Sequence, residues 1–407
     1  MHGLFRSLAN KDFRRFVTGH AASQMGTWMQ RLSVIWAVFE ITDSGIAVGV
    51  ASACLFGPAL FLSPLAGLAA DRQDGKRLLV TTKIGLTAMA VLFTFVGFLH
   101  PSTPLPYYLT ALLFGTIETF DIPVRMTFVA DLVGRDDLAN AVGLNVAVMN
   151  GSRVVGPTLA GILISGVGVE WCFAVNIGLS FAVLLSMLKI RSKPKPEDEP
   201  PFTGGTLIGF SIAWRNETLR YTLIAYTAVC VFTMAFPVTF PLFAERTLGG
   251  GPETFTLLFS ALSLGSITGA LVLARVGEPG LGFLGKAAVA SAVTLAVLSA
   301  SPTVVVALVL SLIVGGATMS FTAGALAVVQ LNAPNGTRGR VLALVSMIGI
   351  GSRSIGGLIM GVVIDVINAR IAIAIGALVA LIVGAWMLTL SRFEATGEEQ
   401  SAVHKTP

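Results

Sequence analysis

The chain has 407 residues, of which 54% are hydrophobic and 12% charged, and its formal net charge is +5. Its mean hydropathy is +0.81. Soluble domains carry about a quarter charged residues, so this composition excludes an ordinary soluble protein, and the placement of the cations argues against nucleic-acid binding.

Apolar runs long enough to cross a bilayer recur along the whole length. They predict an all-α membrane protein of twelve transmembrane helices. The expected limits are 14–41, 46–70, 78–99, 105–131, 139–166, 170–189, 218–243, 253–275, 283–300, 303–330, 339–367 and 369–391. The opening "MHGLFRSLANKDFRRF" is basic and polar and lacks the features of a cleavable signal, so the first helix is expected to stay in the membrane. Arg6, Lys11, Arg14 and Arg15 precede the first span. Arg72, Lys76 and Arg77 follow the second, and Arg135 follows the fourth. Lys189, Arg191, Lys193, Lys195 and Arg215 follow the sixth. Arg275, Lys286, Arg338, Arg340, Arg392 and Lys405 continue the alternation, while the opposite loops hold Arg246 and Arg370. The positive-inside rule then places both termini in the cytoplasm of a multi-pass cytoplasmic-membrane protein. Cys54, Cys172 and Cys230 lack metal-like spacing and read as small apolar residues, with no disulfide and no zinc site expected.

The sequence divides into 1–190, a linker at 191–217, and 218–407. The linker opens charged and proline-rich, then places Leu207, Phe210 and Trp214 at helical spacing, as an amphipathic helix on the bilayer surface would. The two halves are related at an offset of 200 positions. Gly115 matches Gly315, Gly151-Ser152-Arg153 matches Gly351-Ser352-Arg353, Gly156 matches Gly356, and Gly161 matches Gly361. Duplicated halves are common in transporters, whose sites lie between the repeats near the bilayer midplane.

"GLAADRQDGKRLL" follows the second span. Its Gly67, Asp71, Arg72 and Arg77 cluster an acid and bases at one membrane edge, where ion pairs or helix capping can latch one conformation. The order resembles the loop 2–3 signature of the major facilitator superfamily, with Asp74 standing where a glycine is usual. In the fifth span, "SRVVGPTLAG" resembles that superfamily's antiporter run. Ser152, Gly156, Ala160 and Gly161 permit close helix approach, and Pro157 removes a backbone donor. In the fourth span, "FDIPVR" and the polar loop after it resemble the enterobactin-exporter and macrolide-efflux branch. The resemblance implies two pseudo-symmetric six-helix halves around a central cavity.

The span interiors hold Arg31, Glu118, Asp121, Arg125, Arg153 and Arg353. Six ionised side chains facing lipid would cost on the order of 15–20 kcal/mol, so they must face a wet cavity or one another. Glu118, Asp121 and Arg125 share one helical face, and Asp121 with Arg125 is the expected ion pair. Glu118 is the first proton-coupling candidate, because partial desolvation favours a protonated carboxyl. Asp121 is the second. Arg153 and Arg353 cannot readily give up a proton. They are expected to bind an anionic group across the cavity, to pair with fourth-span carboxylates, or to serve as static packing partners. Arg353 has no evident acidic partner in its own half, since the positions matching Glu118, Asp121 and Arg125 are Thr318, Phe321 and Ala325. Gln24, Trp28 and Arg31 recur on one face of the first span and complete the candidate cavity set, with ordinary packing as the alternative for Trp28.

The resemblance implies a secondary active transporter that exports a small amphiphilic compound, a siderophore or drug-like molecule, by proton antiport with alternating access. The alternatives are an importer or lipid transporter of the same fold, or a non-transporting sensor or scaffold. No phosphate-binding loop is present. The histidines (His2, His20, His100, His404) are scattered. Neither an enzyme, a cofactor nor a metal is therefore expected. The expected partners are a small-molecule substrate, protons and the lipid bilayer, and the expected state is a monomer.

Overall fold

The computed structural model describes residues 6–133, 137–188, 190, 206–334 and 338–403. His2, Arg135, Lys189, Arg191, Lys193, Lys195, His404, Lys405 and residues 191–205 of the linker lie outside the described residues, as do the side chains of Asp71, Leu207, Arg338 and Arg340.

Every regular element described is helical. In chain order the α-helices are α1 (Lys11–Thr42), α2 (Gly45–Phe56), α3 (Pro58–Arg72), α4 (Gly75–Phe98), α5 (Leu105–Leu132), α6 (Leu138–Val167), α7 (Val169–Leu188), α8 (Thr206–Arg215), α9 (Glu217–Thr233), α10 (Phe236–Leu242), α11 (Pro252–Val276), α12 (Leu281–Ser299), α13 (Val304–Asn332), α14 (Arg338–Val366) and α15 (Ala369–Val403). Side chains that accept from first-turn N–H groups fix several of the starts: Asn10, Ser44, Asp74, Asn216 and Thr303 cap α1, α2, α4, α9 and α13.

Two expected spans are interrupted helices. The run 46–70 breaks at Gly57, where Pro58 lacks the N–H that a continuous helix needs. The run 218–243 breaks after Thr233. It resumes as α10 with Pro237 in its first turn and ends in a π-helical turn, Phe243–Thr247. Counting each interrupted run once, ten helical segments among the described residues are long and apolar enough to cross a membrane. The long helices α1 and α5 are more polar. Gln24, Gln30 and Arg31 interrupt the first, and Glu118, Asp121 and Arg125 the second.

Matched glycines of the 200-residue repeat make matched contacts. A side chain at Gly156 would strike the Met25 carbonyl and Trp28 of α1, and one at Gly356 would strike the Val231 carbonyl of α9. Gly115 seats α5 against the Leu55 carbonyl of α2, and Gly315 seats α13 against the Leu262 carbonyl of α11. Gly161 meets Thr256 of α11, whereas Gly361 meets the Gly45 carbonyl of α2. Small residues let these backbones approach closely. The large apolar core around Trp28, Phe39, Phe93, Phe240 and Phe255 forms over the same contacts. In α8, Ala213 and Ile212 pack against the cluster around Leu344, while Phe210 and Trp214 stack on each other at 5.2 Å and stay exposed.

Candidate transport cavity and its charged flanks

Helices α1, α2, α3, α5, α6, α9, α10, α11, α13 and α14 surround one central space. It has two lobes that share Trp28, Phe56, Arg153, Ile350 and Arg353. One lobe, about 280 Å³, is lined mainly by the second half and is rich in apolar, aromatic and sulfur-bearing side chains, among them Tyr226, Cys230, Phe259 and Met319. The other, about 180 Å³, holds the charged or amide side chains Gln24, Arg31, Glu118 and Arg125. All five residues expected to line a cavity (Gln24, Trp28, Arg31, Arg153 and Arg353) line this second lobe.

Glu118 and Arg31 form an ion pair between α5 and α1, both almost buried. Around it, cations and rings alternate. The Arg153 guanidinium lies 4.9 Å from the Trp28 ring and Arg31 lies 4.6 Å from the same ring. Arg31 also sits 5.3 Å from Phe56, and Arg353 sits 5.4 Å from that ring. Two aromatics thus hold three guanidinium groups in one row. Among the described residues, neither Arg153 nor Arg353 pairs with a carboxylate of α5, so that alternative does not describe this geometry. The charges of α5 meet Arg31, Lys83 and one another instead.

Asp121 lies deeper. Its carboxylate accepts from Lys83 Nζ at 2.9 Å and from Thr82 Oγ1 at 3.0 Å, and Arg125 approaches at 3.6 Å. The Asp121–Arg125 pair expected from spacing is present, but the shorter bond goes to Lys83 of α4. Arg125 also reaches His20 Nε2 at 3.4 Å. A guanidinium can only donate, so Nε2 accepts and the ring proton sits on Nδ1. His20 stacks on Phe16 at 5.4 Å. Sequence reasoning missed Lys83, His20 and Phe56. The signal for Lys83 was a lone lysine within the third apolar run.

At the end of the bundle away from the N-terminus, Asp365 of α14 accepts from Ser44 Oγ at 2.7 Å, Gly45 N at 2.7 Å and Ile46 N at 2.9 Å. Arg246 reaches Asp365 at 3.5 Å and Asp43 at 3.1 Å. Arg370, the other cation of these loops, donates to the Ser299 and Ser301 carbonyls, each at 3.0 Å. Both exceptions to the charge alternation are therefore held by protein acceptors.

The expected latch residues sit at the opposite end. Arg72 and Arg77 are exposed, and a side chain at Gly67 would meet nothing within 4 Å. Asp74 accepts from Arg77 N at 2.7 Å, which explains an acid where the superfamily pattern has glycine: it caps α4. In the antiporter-like run, Ser152 Oγ donates to the Ala21 carbonyl at 3.3 Å, Gly156 seats α1, Gly161 seats α11, and Pro157 is buried within α6.

A many-helix membrane bundle around an internal cavity with charged side chains is an architecture suited to a membrane transporter. Residues 3–407 match the family model for transmembrane secretion effectors, and the chain belongs to that family, whose members are membrane transporters of the major facilitator type and not enzymes. Among characterised relatives, the staphyloferrin A transporter of Staphylococcus aureus is 24% identical over 259 residues, covering 62% of this chain and 64% of the relative. Macrolide efflux protein A of Streptococcus pyogenes is 23% identical over 266 residues, 64% of this chain and 65% of the relative. The enterobactin exporter of Shigella flexneri is 26% identical over 248 residues, 59% of this chain and 58% of the relative. The matched region thus spans under two thirds of each relative. Among solved structures, the nucleoside transporter NupG superposes with a TM-score of 0.74 at 15% identity, over 93% of this chain and 98% of that one. An auto-inhibited POT family peptide transporter gives 0.71 at 12% identity, over 94% and 97%. These two similarities speak to fold alone.

Proposed function

We propose that the chain is a twelve-span transporter of two six-helix halves, 1–190 and 218–407, with both termini cytoplasmic in the cell membrane. It exports a small amphiphilic compound in exchange for protons by alternating access. The matched contacts of the repeat support the two halves. The relatives that bear the names of siderophore and macrolide exporters support efflux.

The observation that carries the coupling is the Glu118–Arg31 pair. Among the described residues, Glu118 is the carboxylate lining the cavity, and it contacts a cation of another helix. A protonated Glu118 cannot hold that ion pair, so proton uptake and release of Arg31 are a single event. Asp121, held by two cations and a threonine, is the positioning partner rather than the carrier. The Asp365–Arg246 network closes the outer end, and Gly67, Asp71, Arg72 and Arg77, where α3 gives way to α4, form the inner latch in the other conformation.

The test places purified protein in liposomes under an imposed pH gradient, with a catecholate siderophore, a carboxylate siderophore, a macrolide and a cationic dye. Gradient-driven movement by the wild type and its loss in a folded Glu118→Gln variant are expected. Unchanged gradient-driven flux in that variant would remove Glu118 from the coupling step.

A further inference from the structure

The geometry points to a substrate that is a small organic acid with at least two anionic groups, gripped between Arg153 of one half and Arg353 of the other. This rests on the transporter reading above and specifies its substrate class.

The first argument is charge. Arg31, Arg153 and Arg353 line the shared cavity, and the carboxylate lining it, Glu118, is already in contact with Arg31. Arg125 lines the smaller lobe too, but Asp121 lies beside it and is shared with Lys83. No carboxylate among the described residues comes within ion-pair distance of Arg153 or Arg353. Two guanidinium groups are left in excess.

The second argument is hydrogen bonding. Each guanidinium carries five N–H donors, and neither Arg153 nor Arg353 gives any of them to a protein acceptor among the described residues. Ring stacking on Trp28 and Phe56 occupies the faces of these groups and leaves their edges available. Planar forks with free edges match carboxylate and related oxyanions. A cation entering this space meets like charge, and a neutral molecule leaves the forks unsatisfied, so both are disfavoured.

The third argument is shape. Lobes of about 280 and 180 Å³ admit a small molecule. Phe236, Phe259, Leu262 and Met319 offer apolar surface to its body. Because the two arginines come from α6 and α14, an acid that bridges them ties the two halves together when it binds.

The experiment uses the full chain in phosphatidylcholine nanodiscs. Thermal unfolding is followed with three probes of one skeleton: benzene-1,3,5-tricarboxylate, its neutral triamide, and 1,3,5-tris(aminomethyl)benzene. The tricarboxylate is expected to raise the melting temperature at millimolar concentration, as a ligand of the folded state does, and the other two are not. Arg153→Gln and Arg353→Gln are each expected to weaken that binding about tenfold or more, and the double variant to abolish it. Neither change orphans a buried carboxylate, so both variants should fold. Arg353→Lys, which keeps charge but loses the fork, should bind with intermediate affinity. The proposal is overturned if the tricarboxylate has no effect, if the triamide or the amine acts equally well, or if the glutamine variants bind unchanged. It is also overturned if phosphatidylglycerol nanodiscs abolish acid binding at matched ionic strength, which would assign the arginines to a lipid headgroup. Flux is scored separately. Acid binding without flux under any gradient keeps the acid site and removes the transport reading, whereas dye flux without acid binding does the reverse.

Discussion

Asp365 accepts the Gly45 backbone N–H at 2.7 Å, joining positions 320 residues apart. The acid is on α14 and the amide is in the first turn of α2, whose unpaired N–H groups and positive dipole end favour a carboxylate. Ser44 and Ile46 complete the cradle, and Gly45 and Gly361 bring the two backbones together just beside it. Any motion that parts α2 from α14 must break these bonds. Asp365→Asn is therefore expected to weaken the closure by about 1–3 kcal/mol and to populate the state open at that end. Ser52, buried against Gly357 in the same seam, provides the reporter. In a background lacking the native cysteines, Ser52→Cys should react faster with an impermeant maleimide applied from that side when Asp365 is also replaced. Equal labelling rates would show that the cradle does not control the opening.

The two carboxylates of α5 should differ sharply on removal. Asp121 is buried with Lys83 and Arg125 around it, whereas Glu118 opens onto the cavity. Removing one partner of a buried pair leaves an uncompensated charge and costs about 3–5 kcal/mol. Asp121→Asn should thus lower the melting temperature strongly in detergent, and Glu118→Gln much less, since the cavity can hydrate Arg31. Adding Lys83→Met to Asp121→Asn removes one of the stranded cations and should return part of the loss. Additive losses in that double variant would contradict the pairing.

How far the sequence reveals this site depends on where the signal is local. The 118–121–125 spacing is confined to a single helix, so a shared face and an Asp121–Arg125 contact could be read directly. Arg153 and Arg353 were marked by the repeat, and the fold does bring them to one cavity. Lys83 is different. Its partner is on another helix, and only tertiary packing turns α4 so that the lysine meets Asp121. Asp365 carries no signal in the sequence, because capping of a helix 320 residues away has no local signature. The interruptions at Gly57–Pro58 and near Pro237 were visible as residues, but the length of the apolar runs around them outweighed the breaks.

Gly67 and Gly156 test whether a glycine serves this conformation or another. A side chain at Gly156 would meet the Met25 carbonyl and Trp28, neither of which can move without shifting α1, so Gly156→Val should cost about 1–3 kcal/mol through overpacking. Gly67 faces open space within α3. There Gly67→Val should leave the stability within about 0.5 kcal/mol of wild type. If the α3–α4 corner that carries Asp71, Arg72 and Arg77 latches against a neighbouring helix when the cavity turns outward, the same substitution should still slow transport, because the added side chain obstructs a contact made only in that other state. Thermal unfolding and liposome flux on the same preparations separate the cases. Lost stability at position 67 would mean that the glycine is already packed in this state, and full stability with full flux would remove Gly67 from the latch.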